Sequence, residues 1–237
     1  MDIVILGNGI IGLTTAFQLL GRGAASDRII LVGRKARPGS ATLAAAAMLN
    51  CFAEVETGSL DARIDRDRFD LSRRAGQMWP EFERAILAAM DDEGANGAKG
   101  RHHAACGDLG TYIVNNTAAD DLDDENFDAI LDALRQYDEP HRMVSPRDIP
   151  NYRPMQRHRA TPALLIENEG WYNPRMMMER LDAAVSHHPR VVTIDADVDR
   201  MVGVNGAIDH IVLDEGRRID GGRFLLATGA TSHDLLL

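Results

Sequence analysis

The sequence predicts an α/β fold built around a parallel sheet, and three observations predict it. A short apolar, β-branched run opens the chain at residues 3–6, as expected of a strand buried on both faces. A stretch of helical period follows, in which Ile10, Leu13, Phe17 and Leu20 share one stripe before Gly21 and Gly23 end it. A second apolar run, residues 29–32, completes a β-α-β unit of the length such a unit requires.

Between the first strand and the helix stand Gly7, Gly9 and Gly12, spaced G-x-G-x-x-G. Each has a mechanical role in a Rossmann-like turn. Gly7 allows the tight exit from the strand, Gly9 lets the backbone approach a pyrophosphate, and Gly12 lets the helix pack closely on the strand. The helix start, with Ile10 and Ile11, presents free N–H groups and a positive dipole end to phosphates. The competing reading is a glycine-rich turn in an α/β domain that binds nothing. Dinucleotide sites usually carry an acidic residue about 20 positions further on, for the ribose hydroxyls. That position holds Gly33, followed by Arg34, so the ribose grip is altered or comes from elsewhere.

Further elements follow from period and punctuation. Residues 69–90 read as a helix, 91–103 as a Gly-rich loop and 110–115 as a strand. An acidic helix start precedes apolar Phe127, Ile130, Leu131 and Leu134, and its charge run reads as a solvated face. Residues 145–154 form a proline-punctuated loop and 163–166 a strand. After Asn173-Pro174 a helix runs to Val185, then a strand over 191–194. A small antiparallel meander occupies 198–204, 208–213 and 217–220, and Gly221-Gly222 turns into a last strand at 224–227.

Composition narrows the function classes. The 237 residues suffice for one large domain or two small ones, and the net charge of −10 lacks the basic stripe that nucleic acid requires. Two cysteines, Cys51 and Cys106, make no disulfide framework. Apolar runs are too short for a membrane span, and strand-like sequence from Ile3 leaves no room for a signal peptide, so a cytoplasmic protein is expected. The pairs His102-His103 and His187-His188 lack metal-ligand spacing, so surface loops and no metal site are expected there. Met176, Met177 and Met178 read as core filler, and Cys51, without a positive neighbour, as a small buried residue. No G-x-S-x-G or Walker pattern is present.

The most informative stretch is residues 37–56, where small residues Ala44 to Ala47 lead into Met48 and Leu49. Helix propensity alone reads it as a buried alanine-rich helix. Placed after the second strand of a dinucleotide fold, it resembles the FAD-dependent D-amino-acid oxidase superfamily, in particular its glycine oxidase and thiamine-pathway branch. "LSRRAGQMWPEFERAI" (71–86), "ENEGWYNPRMMMERL" (167–181) and "RFLLATGATSHDLL" (223–236) resemble that family's next helix, its E-G-W-x-x-P segment and its Ala-x-Gly strand, in the family order.

The resemblance implies a Rossmann-like FAD-binding domain of the glutathione-reductase and D-amino-acid-oxidase type, with an incomplete α+β substrate domain. It implies flavin-domain parts at 1–70 and 167–237 with a substrate-facing cap at 71–166. The implied cofactor is FAD. Its implied contacts are Gly7, Gly9, Ile10, Ile11, Gly12, Gly33, Arg34, Thr42, Ala46, Ala47, Met48, Val198, Ala227, Thr228 and Gly229. Met48 would border the flavin and substrate cavity; no catalytic acid or base is assigned. Ala47 stands where the family commonly has Gly, and Leu43 where it has Ser.

The implied activity is oxidation of a C–N bond in an amine or amino acid, by hydride transfer to the flavin. The family continues past the Ala-x-Gly strand. A second chain supplying that part, or a homo-oligomer, is therefore the expected partner beside the small-molecule substrate, and a truncated sequence is the competing reading. The alternative is a non-catalytic structural or regulatory subunit that retains the fold.

Overall fold

The computed structural model describes residues 1–92, 107–116 and 120–235. In chain order its elements are β1 (Asp2–Leu6), α1 (Ile10–Arg22), β2 (Arg28–Val32), α2 (Ala41–Ala44), β3 (Met48–Leu49), α3 (Arg63–Asp92), β4 (Gly107–Asn116) and α4 (Asp121–Gln136). There follow β5 (His141–Met143), β6 (Ala160–Tyr172), α5 (Pro174–Ser186), β7 (Val191–Ile194), β8 (Val198–Val204), β9 (Ala207–Leu213), β10 (Arg218–Asp220) and β11 (Arg223–Leu226). They divide into two units: Met1–Ala45 with Arg84–His103 and Pro174–Leu237, and Ala46–Glu83 with Ala104–Asn173.

In the first unit the sheet order is β11-β1-β2-β7, every pair parallel. Alternation along the central strands splits their side chains between two layers. Val4, Leu6, Ile30 and Val32 pack with Ile211 and Leu213 of the β8–β10 meander. Ile5 faces α1, whose Leu13 and Ala16 are fully buried. Each buried Val, Leu or Ile side chain here contributes about 2 kcal/mol of hydrophobic stabilisation. The continuous apolar character of both runs thus reflects cover on both faces. The buried part of α1 is Gly12, Leu13 and Ala16, while Ile10, Phe17 and Leu20 are half-buried. The helix also passes Gly21 and ends at Gly23, whose N–H donates to Leu19 O at 2.8 Å.

In the second unit, β6 is the spine: β3, β4 and β5 all pair with it antiparallel. Helix α4 covers it through Phe127, Ile130 and Leu134, which cluster with Phe52, Phe69, Leu164 and Ile166. A capping box starts α4: Asp120 accepts from Asp123 N–H and the Asp123 side chain accepts from Asp120 N–H. Two expectations need correction. The strand expected at 163–166 runs the full length of β6, and the helix expected at 69–90 begins at Arg63. The 91–103 loop, His102-His103 and Cys106 fall largely or wholly outside the described residues.

Candidate dinucleotide site

The site begins at the carboxyl end of β1. Gly7 has φ +109°, a conformation that L side chains rarely adopt, and a Cβ there would lie 2.3 Å from Ala227 O. The chain needs that closeness: Gly7 N–H donates to Val32 O and Ala227 N–H to Leu6 O, both at 2.7 Å. A Cβ on Gly12 would lie 1.9 Å from Gly7 O, so helix and turn touch backbone to backbone. Gly9 differs. Its backbone is extended, and the nearest atom to a Cβ is Thr42 Oγ1 at 3.6 Å. Space therefore lies above Gly9.

Of the first N–H groups of α1, that of Ile10 donates to Thr42 Oγ1 at 3.3 Å. Those of Ile11 and Gly12 have no acceptor among the described residues, as a helix start leaves them. Open space over Gly9 beside free donors at a 13-residue helix start suits a diphosphate.

The other contacts of this unit gather at the same ends of the strands. Gly33 N–H donates to Ile194 O at 3.0 Å, bringing the end of β2 to β7. Arg34 Nε donates to Asp197 Oδ2 at 2.9 Å and its Nη2 pairs with Asp214, tying β2 to the meander next to half-buried Val198. The guanidinium of Arg34 is thus spent on protein carboxylates. Ala227 lies over Gly7, Thr228 Oγ1 meets Ser232 Oγ at 3.0 Å, and Gly229 takes φ +63°.

Asn8 was not singled out by the sequence reading, yet it organises this corner. Its Nδ2 donates to Gly33 O at 3.2 Å and Arg34 O at 3.0 Å, and its backbone oxygen accepts from Arg37 Nε at 2.9 Å. Arg37 in turn pairs with Asp182 at 2.6 Å. Asn8, Gly33, Lys35 and Arg37 line a cleft of about 410 Å³ that extends to Asp182 and Asp195. The available signal was a coincidence: a polar residue inside the glycine fingerprint where the usual acid has become glycine.

Ala46, Ala47 and Met48 belong to the second unit. The buried-helix reading of this run is overturned: α2 stops at Ala44, and Ala44, Ala45 and Ala46 are exposed. Ala47 adopts φ +51° while its oxygen accepts from Tyr172 N–H at 2.9 Å. Left-handed backbone is what a glycine would supply there. Met48 pairs across strands with Trp171, and both are 46% exposed, an apolar pair on one face of β3-β6.

Just beyond, buried Glu169 accepts from the N–H groups of Cys51, Phe52 and Ala53 at 2.5, 2.5 and 3.2 Å. Burial nonetheless raises its pKa above the usual carboxylate range, against those three donors. Burial, with the carboxylate alongside, pushes the half-buried Cys51 thiol up to about 12, away from the thiolate form.

Elsewhere, His187 and His188 lie just past the end of α5, their Nδ1 atoms bonded to Ala183 O and Arg190 N–H. Met177 and Met178 are buried as core. Asp209, His210 and Asp220 converge within 4.8 Å, but Arg218 already bridges the two carboxylates at 3.0 and 2.6 Å. That guanidinium supplies the positive charge the group would ask of an ion. Among the described residues no helix is long and apolar enough to cross a membrane.

The parallel sheet, glycine turn and meander define a Rossmann-like dinucleotide-binding fold. The chain belongs to the FAD-dependent oxidoreductase family DAO, whose model matches residues 2–237. Similar solved structures are glycine oxidase from Geobacillus kaustophilus (TM-score 0.74, 16% identity) and glycine oxidase from Bacillus cereus (0.72, 17%). Iminodiacetate oxidase from Chelativorans sp. BNC1 is similar too (0.68, 18%). Each alignment covers 99% of this chain but only 56%, 57% and 57%, respectively, of those chains, so the chain spans little more than half their length. No curated protein matches it. FAD is the family's cofactor.

Proposed function

We propose that this chain is the FAD-binding portion of an oxidoreductase that oxidises the C–N bond of an amine or amino acid. Bound FAD supplies the hydride acceptor, and an imine is the product. The observation that carries the proposal is the turn at Gly7, Gly9 and Gly12, where a Cβ is excluded at two positions and space is open at the third. In this reading the N–H groups of Ile11 and Gly12 hold the diphosphate. Thr42 orients the helix start through Ile10, and Val198 borders the adenine. Ala46, Ala47 and Met48 are assigned to the flavin ring through the family resemblance, and exposed Met48 to the substrate side. The chain's part in the chemistry is binding, orientation and exclusion of water.

Amine and amino-acid substrates are favoured by the names of the similar structures, which include glycine oxidase and iminodiacetate oxidase. The length those enzymes have beyond this alignment would come from further polypeptide, in the same or a second chain. A second reading, a structural subunit that keeps the fold without the cofactor, is favoured by Gly33 in place of the ribose acid. The visible spectrum separates the two. Flavin absorption bands in the purified assembly, with hydrogen peroxide or acceptor reduction over an amine panel, support the first. A colourless protein that cannot be reconstituted with FAD supports the second.

A further inference from the structure

We propose that Asn8 takes over the ribose-holding role vacated at Gly33: its side-chain oxygen accepts a hydrogen bond from a hydroxyl of the adenosine ribose of FAD. The inference rests on the reading of the chain as FAD-binding and adds to it the residue that completes the altered corner.

Three observations carry it. First, the Asn8 amide has only one orientation compatible with its neighbours. Two carbonyl oxygens, Gly33 O and Arg34 O, receive hydrogen bonds from Nδ2 at 3.2 and 3.0 Å. Flipping the amide would set oxygen against oxygen, so Oδ1 must point away, and no donor among the described residues reaches it. Second, that free acceptor stands where an acidic side chain would leave β2. A Cβ built on Gly33 would lie 2.7 Å from both Cγ and Oδ1 of Asn8. An acid at 33 and this placement of Asn8 exclude each other. Third, the oxygen is fixed in place. Arg37, itself held by Asp182, clamps the Asn8 backbone at 2.9 Å, and Asn8 and Gly33 both line the cleft.

With Asn8 in that role, a neutral acceptor stands in place of a charged one. A neutral hydrogen bond to the ribose changes affinity by about two- to tenfold, less than a charged one does.

The test is a ligand–protein cycle on the purified assembly. ADP, 2′-deoxy-ADP and 3′-deoxy-ADP compete against FAD, read by flavin fluorescence, in the wild type and in Asn8→Ala. The wild type should prefer ADP over one of the deoxy analogues by about two- to tenfold. Asn8→Ala should weaken ADP and the analogue that keeps the contacted hydroxyl, leave the other analogue unchanged, and so show no preference. A double variant, Asn8→Gly with Gly33→Glu, should recover the preference through a carboxylate, and it stands in should Asn8→Ala not fold. Equal binding of the three ligands by the wild type overturns the inference, as does an undiminished preference in Asn8→Ala, while FAD binding itself stands. Failure of the wild type to bind FAD removes the FAD-binding reading, and the inference with it.

Discussion

The glycine turn at residues 7–12 and the small-residue run at residues 44–48 both replace side chains by bare backbone, but on different terms. In the turn, glycine is kept wherever a Cβ has no room: Ala227 O would lie 2.3 Å from one at Gly7 and Gly7 O 1.9 Å from one at Gly12. In the run, Ala47 holds φ +51°, left-handed backbone that costs an L residue about 1–2 kcal/mol. Steric exclusion by rigid backbone admits no substitution, whereas a conformational cost of that size is offset by neighbouring contacts. Here these include the Tyr172 N–H to Ala47 O bond and the Met48–Trp171 pair. Departures from a family pattern are thus informative according to which kind of constraint they relax.

The largest expected effect comes from forcing a side chain into the turn. Gly12→Ala must push α1 away from β1, and should cost about 3 kcal/mol or more, seen as a lowered denaturant midpoint. A near-neutral result would break the comparison at its first term. Next comes Glu169, which holds the backbone just after the small-residue run. Its folded-state pKa is raised, so its favourable contribution is complete below the unfolded value near pH 4. The contribution is lost as pH rises through the raised folded value. Stability should therefore fall over that interval by at most about 1.4 kcal/mol per pH unit from this group, and Glu169→Gln should flatten the slope. The smallest effect is favourable: Ala47→Gly relieves the left-handed strain but loosens the unfolded chain. It should raise stability by about 0.5–1 kcal/mol, roughly 2 °C in Tm. A destabilised Ala47→Gly would show that the conformation is imposed without strain.

Much of this was legible in the sequence because it is written in period and punctuation. The bounds of β7 and β8 coincide with the strands expected at 191–194 and 198–204, and the parallel pairing of β1 and β2 follows from their continuous apolar character. What was illegible depended on long-range partners. The far half of β6 carries no strand signal, since Glu167, Asn168 and Glu169 do not alternate with apolar residues. Glu169 is satisfied by N–H groups more than a hundred positions earlier, and the ladder to β4 breaks register between Leu109 and Thr111. Gly21 reads as a helix end, yet α1 runs on until Gly23 provides the cap. Of the site, the fingerprint was legible and Asn8 was not, because its significance lies in contact with Gly33, 25 residues away.

The central claim, that this turn receives the diphosphate of FAD on bare backbone, is tested most directly at Gly9. A Cβ there has ordinary contact distance to Thr42 and no adverse φ, so Gly9→Ala should fold with stability within about 0.5 kcal/mol of wild type. FAD titrated into both assemblies should then show saturable binding to the wild type and affinity at least about tenfold weaker in Gly9→Ala, the loss expected when a methyl group displaces a charge-assisted contact. Equal FAD affinity in the two proteins would contradict the account.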